Sequence, residues 1–195
     1  MIRVVLRSDH LDDDSVVTVP RTIFLYSDLA REKETPDCEE IVFSIEEEIH
    51  MQEFTYFVHF LYTGTIESSF THLDEEELSN QLTAWINGFR VGHRLRADFF
   101  MAHCLSVAMK LHHQYPTGLD VTVGSEALYD LLPLLEQRPH EDMYEFLTIC
   151  IAREWKDVVI DERQDRIAEW LHTFAHWPDF ANDVKALCLQ SIVGY

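Results

Sequence analysis

The stretch IVFSIEEEIHMQEFTYFVHFLYTGTI, residues 41–66, decides the fold of this chain. Its first part alternates the apolar side chains of Ile41, Phe43 and Ile45 with other residues, which is the spacing of a β-strand. Ser44 and the three glutamates that follow suit the start of a helix, because carboxylates face the positive end of the helix dipole. The pattern therefore predicts a strand that runs through an acidic turn into a helix.

The second part of the stretch has the spacing of a helix with one apolar face. Phe54, Phe57, Val58 and Leu61 recur at steps of three, one and three, so they share one side of a helix. Gly64 predicts the end of this helix, because glycine readily adopts the left-handed conformation that closes many helices. Periodicity alone predicts a strand followed by a buried helix.

The same unit closely resembles the centre of a BTB/POZ domain, where a strand and an acidic turn lead into a helix ending in the pattern F..fl.YlYTG.i. The matching residues are Phe54, Phe57, Leu61, Tyr62, Thr63, Gly64 and Ile66. Residues 88–112 resemble the family's next signature, lY.lAdkl....L...a...l. The matching residues there are Phe89, Val91, His93, Leu95, Phe99, Cys104 and Ala108. This resemblance covers a little over half of the chain.

The beginning of the chain predicts a β-hairpin. MIRVVL at residues 1–6 and VVTV at 16–19 are β-branched runs, and the acidic segment 9–14 between them is typical of a turn. In the resembled family a VHK.LL...S segment then enters the first helix. The counterparts here are Val19, Pro20, Arg21, Ile23, Phe24 and Ser27, with Pro20 in place of the usual histidine.

The segment REKETPD, residues 31–37, is charged and contains Pro36, so we interpret it as a loop. Family members place an additional helix before the next strand, and often a hydrophobic-x-Glu motif that grips a cullin. We expect this segment to be too short for both. Within residues 29–40 the nearest match to the motif is Cys38 before Glu40, which argues against cullin binding by the usual contact.

Two further helices are predicted before a domain boundary. A polar loop at 68–79 leads into the first, with Asp74 as its N-cap. The two helices are expected to join at 95–98, and the second to run over 99–112. Apolar residues form one stripe on each helix: Leu78, Leu82, Trp85 and Ile86 on the first, and Phe100, Cys104, Val107 and Leu111 on the second.

The segment 114–124 contains Pro116, Gly118 and Gly124 and is the best boundary in the chain. Four helices are predicted beyond it, over 125–135, 141–155, 161–176 and 179–193. Ser125 is expected to cap the first of these, Pro133 to break it, and Pro178 to end the third. We therefore predict an α+β fold. Residues 1–115 form a BTB/POZ-like core, a small sheet with a helical cluster, and residues 116–195 form an all-α C-terminal extension, as in fungal members of the family.

The charge of the chain disfavours two classes of partner. It carries 35 acidic against 15 basic residues, a formal net charge of -20. Direct nucleic-acid binding needs a basic patch, and an anionic membrane surface is disfavoured on the same ground. The best local candidate for such a patch, Arg90, His93, Arg94 and Arg96, is interpreted as the solvated face of one helix. The apolar runs are too short to span a membrane.

The cysteines indicate a reducing compartment. Cys38, Cys104, Cys150 and Cys188 are far apart, form no CxxC motif, and follow no signal peptide. We expect free and mostly buried thiols in an intracellular protein of the nucleus or cytoplasm.

The sequence predicts no catalytic, cofactor or metal site. His172 and His176 share a helical face but lack further ligands at metal spacing, so packing at a helix end is favoured. His112 and His113 are interpreted as cations near a negative helix end. Cys104 and His103 are neighbours in a helix and point about 100° apart, which disfavours a thiol nucleophile.

Tyr62 is the residue that we single out for function. In the resembled family this tyrosine lies beside the surface that meets cullins and other partners; alternatively, Tyr62 is buried and its hydroxyl caps local backbone. The candidate partner-binding residues are Tyr62, Thr63, Glu67, Phe70 and Leu73.

The resemblance implies a non-enzymatic protein–protein interaction module, an adaptor or subunit of a larger complex. The chain begins at the first strand, without the helix and strand that many members exchange in homodimers, so a heterotypic partner is favoured over a homodimer. That partner would be a cullin-type ubiquitin ligase, a chromatin or transcription complex, or another assembly. The alternatives are a homo-oligomeric scaffold that uses the helical extension and, last, a metal hydrolase built on the histidines.

Overall fold

The computed structural model describes residues 1–6, 15–24, 26–33, 35, 39–43, 51–64, 75–114, 125–137, 140–160 and 164–193. These residues form a small sheet and a majority of helix, an α+β structure. By the contacts between residues the chain divides into two units. The first comprises residues 1–70 and 84–107, and the second comprises residues 71–83 and 108–195.

A three-stranded sheet belongs to the first unit. Its strands are β1 (Ile2–Leu6), β2 (Ser15–Val19) and β3 (Glu40–Phe43), in the order β2-β1-β3. β1 pairs antiparallel with β2 and parallel with β3, with Val4 opposite both Val17 and Ile41. The central strand β1 buries both Val4 and Val5, as a strand covered on two faces does. The predicted hairpin strands and the strand at 41–43 are confirmed; the turn at 9–14 lies outside the described residues.

Two short helices connect β2 to β3: α1 (Arg21–Phe24) and α2 (Asp28–Lys33). The predicted loop over 31–37 is therefore wrong for its first three residues. Ser27 caps α2 by accepting a hydrogen bond from the Ala30 amide at 3.1 Å, and the Lys33 ammonium lies 5.7 Å from the Phe43 ring centroid. The segment therefore holds a short helix, α2. Our expectation was that it is too short to hold both a helix and a cullin-gripping motif.

The helix α3 (Met51–Thr63) packs an aromatic cluster against the sheet. Phe24, Phe43, Phe54 and Phe57 are fully buried, and their neighbouring ring centroids lie 5.9–6.3 Å apart. The helix ends at Gly64, whose φ of +68° is left-handed and whose amide donates to the Phe60 carbonyl at 2.8 Å. The predicted helix end at Gly64 is confirmed, whereas residues 44–50, with the predicted acidic helix start, lie outside the described residues.

A helix pair follows, made of α4 (Glu75–Leu95) and α5 (Asp98–Gln114), and each helix contributes residues to both units. The two are joined at Arg96, with φ +52°, and Ala97, so the predicted joint at 95–98 is confirmed. The predicted stripes are also buried. Their members are Leu78, Leu82, Trp85 and Ile86 on α4, and Phe100, Cys104, Val107 and Leu111 on α5. The predicted N-cap Asp74 lies outside the described residues.

The described residues between 125 and 193 of the second unit are mainly helical. Their helices are α6 (Ser125–Gln137), α7 (Glu141–Ile160), α8 (Gln164–His176) and α9 (Pro178–Val193). α7 packs against α8 and α9, and α8 packs against α6 and α9. The core of this bundle includes Leu128, Leu131, Leu132, Met143, Leu147, Ile151, Trp170, Phe180 and Val184.

Two prolines act differently in these helices. Pro133 lies inside α6, and the predicted break there is wrong because the helix continues to Gln137. Proline removes one amide donor from the helix, but the buried Leu131, Leu132 and Leu134 on either side stabilise its continuation. Pro178, in contrast, follows the predicted end of α8 and occupies the first position of α9, where its missing amide costs nothing. Among the described residues, none of the helices combines the length and apolar character needed to cross a bilayer.

Candidate functional site

The end of α3 exposes Tyr62. Its side chain is 54% exposed, so the alternative in which Tyr62 is buried is wrong. The geometry of the helix explains the exposure, because Tyr62 follows the buried Phe57 by five residues and therefore points about 140° away from it.

The backbone around Tyr62 is held by local hydrogen bonds. The hydroxyl of Thr63, which is also exposed, donates to the His59 carbonyl at 2.9 Å, and the Gly64 amide donates to the Phe60 carbonyl at 2.8 Å. The bond from Gly64 satisfies a carbonyl of the last turn that would otherwise lack a partner. The helix therefore presents Tyr62 from a well-formed end. The other candidates, Glu67, Phe70 and Leu73, lie outside the described residues.

Two more aromatic side chains of the first unit are exposed, and neither of them was predicted to bind a partner. Tyr26 is 61% exposed and Phe99 is 76% exposed. A backbone hydrogen bond joins the two segments that carry them: the Asp28 amide donates to the Arg96 carbonyl at 3.3 Å. Asp28 lies two residues after Tyr26, and Arg96 lies three residues before Phe99. One signal was present in the sequence: Phe99 lies next to Phe100 of the buried stripe and so points about 100° away from it.

The basic residues of α4 do not form the solvated face that we expected. Arg90 is 4% exposed and His93 is 6% exposed, so both are buried. The His93 ring packs one turn after Phe89, with ring centroids 6.4 Å apart. Arg96 is exposed, and its guanidinium pairs with Glu32 at 2.5 Å. These four positions therefore offer no exposed basic stripe of the kind that binds a phosphate backbone.

The described cysteines are free thiols in packed surroundings. Burial raises the pKa of the Cys104 and Cys150 thiols well above the ordinary range, so both stay protonated at neutral pH. Cys188 is half-buried and donates to the Ala152 carbonyl at 3.4 Å. His103 does not face Cys104; its ring packs on Phe60, with centroids 5.1 Å apart. Cys38 lies outside the described residues.

His172 and His176 share one face of α8, as the spacing predicts. Their ring centroids lie 4.6 Å apart, and both side chains are exposed. Both rings also pack against Tyr129, whose hydroxyl lies 2.9 Å from His176 Nδ1. Within the residues that the structure describes, no third histidine, cysteine or carboxylate joins them in a metal-binding group. The arrangement is one of packing at a helix end.

His112 differs from its expected role as a cation near the end of α5. Burial, together with the smaller effect of the nearby charges of Arg153 and His113, lowers its pKa to about 4. The ring is therefore neutral at pH 7. It packs edge-on against Phe146, with centroids 5.8 Å apart, and its Nδ1 lies 3.5 Å from the Arg153 guanidinium.

In the described part of the chain, the candidate residues make aromatic and apolar contacts more often than they form clusters of reactive groups. Its protonated thiols and neutral His112 are packed among other side chains, whereas Tyr62 faces solvent. Comparison of the chain with protein-family models, curated proteins and solved structures finds no match in any of the three.

Proposed function

We propose that this chain is a non-enzymatic protein–protein interaction module, an adaptor or subunit that binds a heterotypic partner through the end of α3. One observation carries the proposal: Tyr62 is more than half exposed on a helix whose Phe54 and Phe57 are fully buried. Tyrosine offers a large, amphipathic contact area at low conformational cost, and it is enriched among residues that dominate binding energy at interfaces.

The order of elements supports the assignment of the first unit to the BTB/POZ family. A hairpin, two short helices, a third strand, the helix α3 and the pair α4–α5 follow one another in the order that the resemblance implies. α2 occupies the place of the additional helix. Domains of that family act by protein contact, which is the function proposed for this chain.

The candidate partners follow from the same resemblance. The segment before β3 holds α2, but within residues 29–40 no large apolar residue lies two positions before a glutamate. This missing motif argues against a cullin-type ubiquitin ligase, which we therefore keep only as an alternative to a chromatin or transcription complex. We favour a subunit of an assembly without a cullin, in the nucleus or cytoplasm. The three described cysteines, all free thiols, fit a reducing compartment.

Affinity capture of the tagged protein from its native cell, followed by mass spectrometry, tests the proposal. We expect Tyr62→Ala to lower the recovery of the stably bound partner at least about ten-fold, because truncating a central interface tyrosine costs on the order of 2 kcal/mol. The matched control is Tyr26→Ala, which removes an equally exposed tyrosine of the same unit at another place in the chain.

The composition of the captured material decides between the partners. A cullin recovered with the wild type and lost with Tyr62→Ala would make the chain a ligase adaptor, and a set of other subunits would make it a structural member of their complex. Equal recovery with Tyr62→Ala and wild type, both folded by circular dichroism, would contradict the proposed binding surface.

A homo-oligomeric scaffold is the second candidate, and exposed apolar side chains in the second unit favour it. Ile149 on α7, Leu171 on α8 and Leu189 on α9 are 39%, 55% and 52% exposed. Single exposed apolar residues are common on monomers, so these three weigh less than Tyr62. Light scattering separates the candidates: a monomer has a mass of 22.9 kDa, and a larger assembly has a multiple of it.

A further inference from the structure

The second unit contains a cavity of about 460 Å³ between α6, α7 and α9. We name it the α6–α7–α9 cavity. Its floor is apolar, formed by the buried side chains of Leu132, Leu135 and Phe180. The volume falls within the range of about 300–1,000 Å³ that is usual for ligand sites in proteins.

Two aromatic residues line the wall of the cavity and are held in place by other contacts. The Tyr144 hydroxyl donates to Asp183 Oδ2 at 2.7 Å, and its ring meets Phe180 edge-on with centroids 5.6 Å apart. Trp177 packs edge-on against Tyr129 at 4.7 Å. Burial and the Asp183 carboxylate raise the pKa of Tyr144, so its hydroxyl stays neutral. The wall is therefore preorganised and uncharged.

Four carboxylates, together with His140 and Pro178, line the remainder of the cavity. Glu136 comes from α6, Glu141 and Glu145 lie one turn apart on α7, and Asp179 belongs to the first turn of α9; all four are exposed. None of the four forms an ion pair with another described residue. The N-termini of α7 and α9 contribute roughly half a positive charge each, which four carboxylates outweigh. Arg138, the one basic residue of the α6–α7 connection, lies outside the described residues.

We propose that the α6–α7–α9 cavity binds a basic and apolar segment of a protein partner, with a lysine or arginine side chain inserted between Tyr144 and Trp177. Aromatic faces attract cations, the apolar floor accommodates the aliphatic part of a long basic side chain, and the carboxylates pair with its charged group. Because the carboxylates come from three helices, they can meet more than one positive charge. A basic segment supplies several charges, whereas a small amine supplies one.

The net charge of the chain supports the same partner chemistry. At -20 the protein repels acidic surfaces and speeds encounter with basic ones. All residues of this cavity belong to the second unit and none belongs to the end of α3, so the inference does not rest on the function proposed for Tyr62.

Fluorescence anisotropy with synthetic peptides tests the proposal. The probe is a fluorescein-labelled peptide in which arginine and leucine alternate, and the matched peptide carries glutamate in place of arginine. In about 150 mM NaCl, where charges more than about 8 Å apart are largely screened, we expect the arginine peptide to bind and the glutamate peptide not to bind. Arginine methyl ester, the small-amine probe, should compete only weakly.

Three variants with charge removed from α7, one single, one double and one control, locate the binding site. Glu145→Gln removes a carboxylate that lines the cavity and should weaken peptide binding about three-fold, and Glu141→Gln with Glu145→Gln about ten-fold, as pairs of this kind contribute up to about 1 kcal/mol each. Asp142→Asn, the control, removes an exposed carboxylate of the same helix that does not line the cavity, and it should change binding less than two-fold.

A second measurement reports on the wall directly. The chain has four tryptophans, so its NMR spectrum contains four indole N–H signals, and Trp177→Phe identifies the one from Trp177. We expect the arginine peptide to shift that signal. The proposal is overturned by any of these results: no binding at peptide concentrations up to about 1 mM, an equal loss with Asp142→Asn, an unmoved Trp177 signal, or arginine methyl ester binding as tightly as the peptide.

Discussion

At the scale of single residues, a side chain's role in this protein depends on what it contacts. Ser27 is fully buried, and its hydroxyl donates to the Leu95 carbonyl at 2.6 Å while it accepts from the Ala30 amide at 3.1 Å. One serine thus caps α2 and ties it to the end of α4, 68 residues along the chain. The sequence pointed to Ser27 only as a match to a family pattern.

We expect Ser27→Ala to lower the free energy of unfolding by about 1–3 kcal/mol, because it removes a helix cap and leaves a buried carbonyl without its donor. Urea unfolding followed by circular dichroism measures the change. The control is Ser106→Ala, at an exposed position of α5, which should alter stability by less than about 0.5 kcal/mol. Equal stability of the two variants would contradict the role assigned to Ser27.

His112 shows how burial changes the charge of a residue. Its pKa falls from 6.5 to about 4 on folding, so between these values the unfolded chain binds more protons than the folded one. The contribution of neutral, buried His112 to the free energy of unfolding is therefore fully present above about pH 6.5, and it is lost as the pH falls towards 4. Lowering the pH through this window should destabilise the protein.

We expect His112→Gln to reduce the loss of stability between about pH 6.5 and pH 4 by about 1–2 kcal/mol. This is less than the full 1.36 kcal/mol per pKa unit, because the ring is partly exposed and solvent screens its charge. Urea unfolding at a series of pH values measures the free energy of unfolding of the variant and of the wild type. The difference between the two isolates His112, because the many carboxylates titrate alike in both. An unchanged pH dependence of stability in His112→Gln would contradict the role assigned to burial of this ring.

At the scale of elements, close approach of α4 and α5 in the first unit depends on two glycines. A Cβ atom at Gly92 would lie 2.8 Å from Met101 Cγ and 3.3 Å from the Met101 amide nitrogen, whereas one at Gly88 would lie 3.1 Å from Cys104 Sγ. The Met101 side chain can move, but the backbone amide of α5 cannot do so without shifting the helix. Gly88 and Gly92 are four residues apart in the sequence and therefore share one face of α4, a spacing that allows two helices to approach closely.

Gly92→Ala should destabilise the protein by about 1–3 kcal/mol. The energetic cost of overpacking between the two helices exceeds the gain of up to about 1 kcal/mol that alanine gives in helix propensity. In Gly88→Ala the two effects should nearly cancel, because its closest contact is a single sulfur atom at the end of a side chain. Thermal unfolding of both variants measures the difference. Gly92→Ala melting at or above the temperature of Gly88→Ala would show that the helices have room to separate.

At the scale of the whole molecule, the net charge of -20 contributes little to the fold. Three ion pairs, Arg3 with Glu40, Arg31 with Asp28 and Arg96 with Glu32, are exposed, and exposed pairs contribute about 0–1 kcal/mol each. Stability therefore comes mainly from the apolar cores of the two units. The charge acts instead on the choice of partner, which is the basis for proposing a basic segment in the α6–α7–α9 cavity.

The sequence by itself determined the local features of this protein. The strands β1, β2 and β3, the helix end at Gly64, the joint at Arg96 and the buried stripes of α4 and α5 each depend on periodicity or backbone preference over a few turns. Such preferences are visible in a short window of residues. The helix α2 was missed because its capping serine was matched only to a family pattern and its charged residues suited a loop.

The tertiary structure alone decided which of these residues face solvent. Arg90 and His93 are buried although polar side chains of this kind usually are not, α6 continues through Pro133 because its leucines are buried, and Tyr62 is exposed rather than buried. The α6–α7–α9 cavity joins residues 132–145 with residues 177–180. Exposure and cavities depend on contacts between segments far apart in the chain, and no pattern within one segment contains that information.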